Sequence, residues 1–151
     1  MNLTSYDIRV VQTASEQQEA LSVRREVFIV EQQVPEELEI DEHDQAASAT
    51  IHFVAYKDSQ AVGASRLRSY APGIGKVERV AVLASERGTG LGRAIMEEME
   101  RVAGEHGFAE LKLNAQCHAQ RFYEKLGYNP FGDVFDEAGI DHIAMIKKLT
   151  P

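Results

Sequence analysis

The alternation of apolar and polar residues along the chain predicts a mixture of strands and amphipathic helices. Residues 80–82 are a short apolar run bounded by charged residues, which is typical of a buried strand. The apolar residues that recur downstream at helical spacing are Leu91, Ile95, Met99 and Val102. We therefore predict a strand that ends near residue 83, a glycine-rich turn, and a long helix that reaches about residue 106.

The remaining pattern completes the predicted order of elements. A first helix opens with a capping box formed by Ser15 and Gln18, and Pro35 ends it or lies just beyond its end. A further short helix covers residues 116–126. The predicted strands are residues 7–11, 50–56, 61–69, 76–83, 110–115, 128–133 and 142–148. The order is β-α-β-β-β-α-β-α-β-β, so we predict a mixed α/β fold with helices on both faces of one sheet.

The turn before the long helix has the composition of an anion site. Gly88, Gly90 and Gly92 occupy every second position, and Arg87 precedes them. Glycines let backbone N–H groups approach a ligand, and the start of a helix adds unpaired N–H groups and a positive dipole end. A phosphate-binding P-loop would need Lys where Arg93 follows the last glycine, and the spacing does not match a dinucleotide fingerprint. An ordinary strand–helix connection is the plainer alternative.

Length, composition and charge limit the class of protein. The 151 residues, 44% of them hydrophobic, predict one domain over residues 1–151 with a normal core. No apolar stretch is long enough to span a membrane, and the single cysteine, Cys117, suits a reducing cytoplasm. A formal net charge of -8 disfavours nucleic acid and anionic membranes as partners. We therefore expect a cytoplasmic protein with neither as a partner.

An acidic run extends from Glu31 to Asp44. It holds seven acids and no Lys or Arg. Such runs are usually solvated surfaces. The functional alternative is a rim that attracts an amine.

Two motifs resemble those of the GCN5-related N-acetyltransferase (GNAT) superfamily. Arg87, Gly90 and Gly92 match the Gln/Arg-x-x-Gly-x-Gly/Ala pattern of its acyl-CoA site, although Ala84 stands where the family often has Pro. The segment 113–128 resembles the family's fifth strand and following helix. Its matching residues are Phe122, Tyr123, Gly127 and Tyr128. Segments 25–32 and 135–145 also resemble a bacterial subgroup of mostly unassigned substrate.

The resemblance implies the fold and the donor. The fold would be a mixed, mostly antiparallel twisted sheet of six to seven strands with about four helices, and acetyl-CoA would be the co-substrate. The backbone N–H of Val82 would bind the thioester carbonyl, and the amides of residues 87–92 would hold the pyrophosphate. Arg87 would add a charged contact, and Asn114 would bind the pantetheine arm or order a water. The implied CoA-binding set is Val80, Ala81, Val82, Arg87, Gly88, Thr89, Gly90, Leu91, Gly92, Arg93, Asn114, Ala119, Phe122 and Tyr123.

Transfer to an amine needs a base and an acid, because an ammonium must lose a proton and the departing thiolate gains from one. By resemblance, Tyr123 is the candidate acid, with a packing role as the alternative. Glu78 is the candidate base, because strand alternation would place it on one face with Val80 and Val82; a surface ion pair is the alternative. His52 or His142 could also serve as base.

Two other groups of reactive residues give weaker evidence for a function. His43 between two acids does not give metal-ligand spacing, so we expect no metal. Cys117 and His118 are adjacent and would point apart, so direct attack in a ternary complex is preferred over a thiol intermediate. The acceptor would be a small-molecule or protein amine. The implied acceptor-side residues are Phe28, Glu31, Gln32 and His142.

The sequence thus predicts an N-acetyltransferase that uses acetyl-CoA. A non-catalytic acyl-CoA-binding sensor of the same fold is the alternative. A homodimer is compatible with either function, and the sequence does not identify the acceptor.

Overall fold

The computed structural model describes residues 5–150. Seven strands form one sheet: β1 (Asp7–Val10), β2 (Ile51–Lys57), β3 (Gln60–Ala71), β4 (Ile74–Val82), β5 (Glu110–Gln116), β6 (Asn129–Glu137) and β7 (Ile140–Lys148). Four α-helices accompany it: α1 (Ala14–Arg24), α2 (Glu36–Glu39), α3 (Leu91–Glu105) and α4 (Gln120–Lys125). A π-helix (Arg25–Glu31) continues α1, and 3-10 turns cover Glu42–Asp44, Ala84–Glu86 and Cys117–Ala119.

The strand order in the sheet is β1-β2-β3-β4-β5-β7-β6. Every neighbouring pair is antiparallel except β4 and β5, which are parallel. The apolar stripe of α3 packs on one face, where Leu91, Ile95 and Met99 are almost completely buried. On the other face α1 packs through Ala20 and Val23. The predicted mixed sheet with helices on both faces is therefore confirmed.

The two parallel strands separate partway along their length. They pair only through residues 74–77 of β4 and 110–113 of β5. Beyond that point, β4 continues to Val82 and β5 continues to Gln116 without pairing to each other. The sheet therefore opens into a wedge between the carboxyl ends of its two central strands, which is where ligands bind in open α/β sheets.

A bulge in β4 changes which residues share a face. Arg79 has φ 60, and the register with β3 shifts between Arg66↔Glu78 and Ala64↔Ala81. Val80 then packs on the α3 side of the sheet, whereas Glu78 pairs with Arg66 on the α1 side. The prediction that Glu78 shares a face with Val80 and Val82 is wrong, because a bulge inserts one residue into the alternation.

The first helix differs from its prediction at both ends. Thr13, not Ser15, is its N-cap, and the Thr13 side chain accepts a hydrogen bond from the Glu16 amide. The helix then changes to i→i+5 pairing, in which the Gln32 amide donates to the Val27 carbonyl. The periodicity of apolar residues predicts a continuous α-helix and cannot anticipate this π-helical segment.

Other element bounds shift in ways that local chemistry explains. Strands β3 and β4 extend to a tight turn at residues 72–73, so four of the six residues between the predicted strands 61–69 and 76–83 belong to strands. The predicted helix 116–126 is a 3-10 turn followed by the short α4. Gly107 follows α3 with φ 83, as expected for a glycine that ends a helix.

Candidate active site

The wedge between β4 and β5 opens into a cleft of about 980 Å³. Its walls come from the second half of β4, the end of β5, the glycine turn and the 3-10 turn with α4. The π-helix and the segment that follows it contribute Phe28, Gln32 and Leu38. The cleft therefore has a donor side at the start of α3 and a second side beneath the π-helix and α2.

The glycine turn presents unpaired amides to the cleft. Gly88 and Gly90 have φ 79 and 91, conformations that other residues rarely adopt. Gly90 is the N-cap of α3, and the first intrahelical hydrogen bond runs from the Ala94 amide to its carbonyl. The amides of residues 91–93 therefore lack intrahelical partners, and the positive end of the helix dipole lies beside them. Together these groups suit a phosphate.

Gly92 is needed for close packing and not for a positive φ. A Cβ placed on Gly92 would lie 3.2 Å from the ring of Phe122. The absence of a side chain at Gly92 therefore lets α4 approach the start of α3, which narrows the donor side of the cleft.

The Arg87 guanidinium is hydrogen-bonded to other groups of the protein. Its guanidinium donates to the carbonyl of Val82 at 3.1 Å and to Glu31 at 2.9 Å. The Arg87 and Glu31 side chains remain 46% and 31% exposed. Glu31 is thus a partner of Arg87 in this structure, and it is not among the residues that line the cleft.

The amide of Val82 points into the wedge. The next amide, that of Leu83, donates to the Val62 carbonyl on β3. Successive N–H groups of a strand point in opposite directions, so the Val82 and Val80 amides are directed toward β5. Because β5 pairs only as far as Val77, these amides are free to bind a carbonyl oxygen.

Tyr123 lies on α4 with its ring against the core beside Val82. Its ring contacts Phe122 and Tyr128 edge-on, at 5.0 and 5.9 Å between centroids. Tyr128 is in turn tied to Glu100 of α3 by a 3.0 Å hydrogen bond. Burial raises the pKa of Tyr123 to about 12, so its hydroxyl is protonated at neutral pH. Within residues 5–150 that hydroxyl has no hydrogen-bond partner.

A carboxamide, a carboxylate and an imidazole meet at the end of β5. Asn114 donates to Glu137 at 3.4 Å, and its buried side-chain oxygen has no partner among the described residues. His142 is 6% exposed and stacks on Phe135. Its Nδ1 lies 2.7 Å from the Ile140 carbonyl, which only accepts, so Nδ1 carries the proton. Nε2 then faces Glu137 at 3.5 Å.

Glu78 is surrounded by cations. Arg66, Arg68 and Lys76 approach its carboxylate to 3.0, 2.8 and 3.1 Å. Burial alone would raise its pKa, but the hydrogen bond from Arg68 and the charges of Arg66 and Lys76 lower it to about 2. A carboxylate with so low a pKa is a weak base toward an ammonium. The geometry therefore gives no support to the expectation that Glu78 is the base.

The acidic run is divided between surface and interior: Glu31, Glu36, Glu37 and Glu42 are exposed, whereas Glu39, Asp41 and Asp44 are buried or half-buried. Arg24 and Arg66 are each 1% exposed and pair with Asp44, and Arg66 also pairs with Asp41. Arg79 and Arg24 both pair with Glu39. The expectation that these acids attract an amine is wrong for Glu39, Asp41 and Asp44, because buried arginines already neutralise them. We call this set of charges, together with Glu78, the buried ion-pair network.

Most of the predicted CoA-side residues line the cleft. Those that do are Val80, Val82, Arg87, Gly88, Gly90, Gly92, Arg93, Asn114, Ala119, Phe122 and Tyr123. Three predicted side chains do not. Ala81 packs against α1, Leu91 is fully buried, and Thr89 donates to the Glu86 carbonyl at 2.6 Å. On the acceptor side, Phe28, Gln32 and His142 line the cleft.

Sequence reasoning missed the charged residues of the second wall. These are Arg66, Arg68, Lys76, Arg79 and Glu137. The alternation of charged and apolar residues at 66–68 was a usable signal, because a charge on a central strand needs a buried partner. Glu137 lies in segment 135–145, the same subgroup-like segment that contains His142, but no spacing or motif in the sequence singles it out.

Of the other candidates, His43 and His118 line the cleft, whereas His52 and Cys117 do not. His52 bonds to the His43 carbonyl at 3.1 Å, and burial lowers its pKa. Among residues 5–150, no three His, Cys, Asp or Glu side chains converge as metal ligands would. Cys117 is a partly buried free thiol. No helix in the described part of the chain has the length and hydropathy needed to cross a membrane.

Comparison with known proteins gives consistent matches. The family described as the acetyltransferase (GNAT) domain matches residues 10–149. The uncharacterized N-acetyltransferase YjcF of Bacillus subtilis (strain 168) is 43% identical over 130 residues, which are 85% of this chain and 90% of that protein. The uncharacterized protein YyaT of the same organism is 38% identical over 144 residues, covering 95% and 97%. The crystal structure of an acyl-CoA N-acyltransferase from Pseudomonas aeruginosa has a TM-score of 0.84 at 31% identity, covering 95% of this chain and 99% of that one.

Proposed function

The chain belongs to the acetyltransferase (GNAT) domain family and is an acyl-CoA-dependent N-acyltransferase; from that premise we propose that it moves acetyl from acetyl-CoA directly to a primary amine bound in the same cleft. The observation that carries this proposal is the free edge of β4, which runs from the bulge at Arg79 to the unpaired amides at the start of α3. That edge offers one continuous line of donors for an extended ligand with an anionic end.

The donor is held at two points. The amides of residues 88–93 bind the diphosphate, because the helix start supplies both N–H groups and a positive dipole end. The pantetheine arm lies along the unpaired edge of β4, where the orphaned oxygen of Asn114 accepts a hydrogen bond from it. Arg87 leaves Glu31 to add a charge-assisted contact to the diphosphate.

The thioester carbonyl accepts from the Val82 amide. That single donor opposes the negative charge that develops on oxygen when the amine attacks, so it lowers the barrier. The N–C bond forms and the C–S bond breaks, and the electron pair leaves on sulfur. Tyr123 donates a hydrogen bond to the leaving thiolate. Its pKa of about 12 exceeds that of a thiol, near 8.5, so stabilisation of the thiolate precedes any full proton transfer.

His142 is the base that the geometry favours over Glu78. Its Nδ1–H is fixed on the Ile140 carbonyl, so Nε2 is the free proton acceptor, and Glu137 stabilises the imidazolium that results. Glu78 has no comparable freedom, since three cations bind its carboxylate. His142 lies in β7 beside Gln116 at the open end of the cleft, where an acceptor amine arrives.

Release of free thiol from acetyl-CoA, measured with a panel of primary amines, tests the proposal. We expect release that depends on both acetyl-CoA and an amine, with N-acetylated product in equal amount. Replacement of His142 with Gln should lower kcat/KM by about 10²-fold. Tight CoA binding without amine-dependent release would instead identify an acyl-CoA sensor and contradict the proposal.

A further inference from the structure

Three cations lie side by side across the centre of the sheet. Arg68 of β3 is in register with Lys76 of β4, and Lys76 is in register with Lys112 of β5. Neighbouring strands are about 4.8 Å apart, and residues in register share a face. Like charges placed directly opposite each other destabilise a sheet. The row therefore opposes folding unless an anion balances it.

The described residues supply too little negative charge for this row. Glu78 is the carboxylate that pairs with Arg68 and Lys76, and it also pairs with Arg66. Within residues 5–150, Lys112 has no carboxylate within ion-pair distance. The Lys76 and Arg68 side chains are only 14% and 23% exposed. Partly buried cations in excess of their counter-charges form a site for an external anion.

An aromatic ring gathers the two lysines. The Lys112 ammonium lies 4.6 Å from the ring centroid of Tyr70, and the Lys76 ammonium lies 6.0 Å from it. The Tyr70 side chain is half exposed. Attraction to the ring face keeps both ammonium groups close together and still open to a ligand.

The row is close to the place where acetyl would be transferred. Arg68 and Lys76 line the same cleft as Val80 and Val82, and their charged ends meet at Glu78. Glu78 precedes Val82, whose amide would bind the thioester carbonyl, by four residues, which is about 13 Å along a strand. An acceptor whose amine sits at the thioester therefore reaches the row if it carries an anion several bonds away.

We propose that the acceptor is an amine with an anionic group at its far end, and that Arg68, Lys76 and Lys112 bind that group. The inference rests on the proposed acetyl transfer and adds the substrate class. It replaces the expectation of an acidic rim that attracts an amine, because buried arginines already hold Glu39, Asp41 and Asp44.

Three acceptors with the same amine and different far ends test this directly. They are aminohexanoate, hexylamine and diaminohexane, which end in a carboxylate, a methyl group and an ammonium. We expect kcat/KM to be about tenfold or more higher for aminohexanoate than for hexylamine, and lowest for diaminohexane. Equal values, or a preference for diaminohexane, would overturn the inference.

Substitutions distinguish a specific role of the cationic row from the general effect of removing one positive charge. Lys76→Met should remove the preference for aminohexanoate over hexylamine through a rise in the KM for aminohexanoate. Lys76→Arg should restore part of the preference. Arg101→Met is the matched control, because Arg101 is exposed on α3 and, within residues 5–150, its ion pairs are with Glu98 and Glu105 alone. A loss of the preference in Arg101→Met equal to that in Lys76→Met would contradict the assignment.

A binding measurement keeps this test independent of turnover. Hexanoate carries the anion without the amine, and its titration into the full chain should show saturable binding that Lys76→Met weakens by about tenfold or more. No binding, or equal binding to both proteins, would overturn the inference. If hexanoate binds and no amine is acetylated, the acetyl-transfer proposal fails while the anion site stands.

Discussion

The two walls of the cleft are built from different kinds of interaction. The donor wall is local in sequence, since β4, the glycine turn at residues 87–92 and the start of α3 follow one another directly. The second wall is held by the buried ion-pair network, in which Arg79 reaches the Glu39 carbonyl 40 residues away. The donor wall therefore depends on backbone conformation, and the second wall depends on buried charge.

This difference predicts which changes harm which wall. A substitution in the glycine turn should weaken donor binding with little effect on the network. Removal of one charge from the network should destabilise the fold, because it leaves another charge buried without a partner. The predictions below run from the largest expected effect to the smallest.

Arg66→Met should lower the free energy of unfolding by about 3–5 kcal/mol. Arg66 is 1% exposed and holds Asp41, Asp44 and Glu78 together, so its loss removes one cationic partner from each of three carboxylates. Urea unfolding measures the change, and Arg101→Met should stay within about 0.5 kcal/mol of the parent. A loss below about 1 kcal/mol for Arg66→Met would show that the network is not what holds this wall.

Tyr123→Phe should lower kcat by about 10²-fold and leave the dissociation constant for CoA within about twofold. The hydroxyl is free of partners within the described residues, and its pKa of about 12 keeps it protonated as a donor. Steady-state kinetics measure kcat, and a CoA titration measures the dissociation constant. An unchanged kcat would contradict the catalytic role of Tyr123 and leave it as a packing residue of α4.

Glu78→Gln should reduce stability by about 2 kcal/mol at neutral pH, and the reduction should fade in acid. The pKa of Glu78 falls from 4.5 to about 2 in the folded protein. Its stabilising effect is therefore complete above the unfolded value and is lost as pH falls through the folded one. Unfolding free energies at about pH 7 and about pH 3 measure the trend. The same deficit at both values would contradict the ion-pair account.

Gly90→Ala should weaken CoA binding by about tenfold, because a side chain is strained at φ 91 and the turn must relax. The control is Gly104→Ala. Gly104 lies inside α3, and a methyl group there would meet no neighbour within 4 Å. It should bind CoA like the parent and gain slightly in stability. Equal CoA affinity in all three proteins would indicate that the turn does not hold the donor.

The donor wall could largely be predicted from the sequence. Positive φ at Gly88 and Gly90, and the helix start that follows, are encoded within a few residues of one another. The bulge at Arg79 was not foreseeable in the same way, because an arginine at φ 60 is held there by distant contacts with Glu39 and Asp41. That single residue moved Glu78 to the other face.

The second wall could not be predicted, because it is held by ion pairs between residues that are distant in the sequence. Asp44 and Glu78 belong to different elements, and only the folded sheet brings Arg66 between them. In the sequence the acids at 31–44 form a run without Lys or Arg, and the partners of Glu39, Asp41 and Asp44 lie at positions 24, 66 and 79. Similar reasoning applies to Glu137, which acquires a role only when β6 and β7 pair.

The central claim is that the free edge of β4 and the amides at the start of α3 together position acetyl-CoA. A crystal structure of the protein with bound CoA tests it most directly. The account predicts a diphosphate within hydrogen-bond distance of the amides of residues 88–93, the pantetheine along β4 toward Asn114, and the sulfur beside the Tyr123 hydroxyl. A diphosphate bound elsewhere, with these amides facing water, would contradict it.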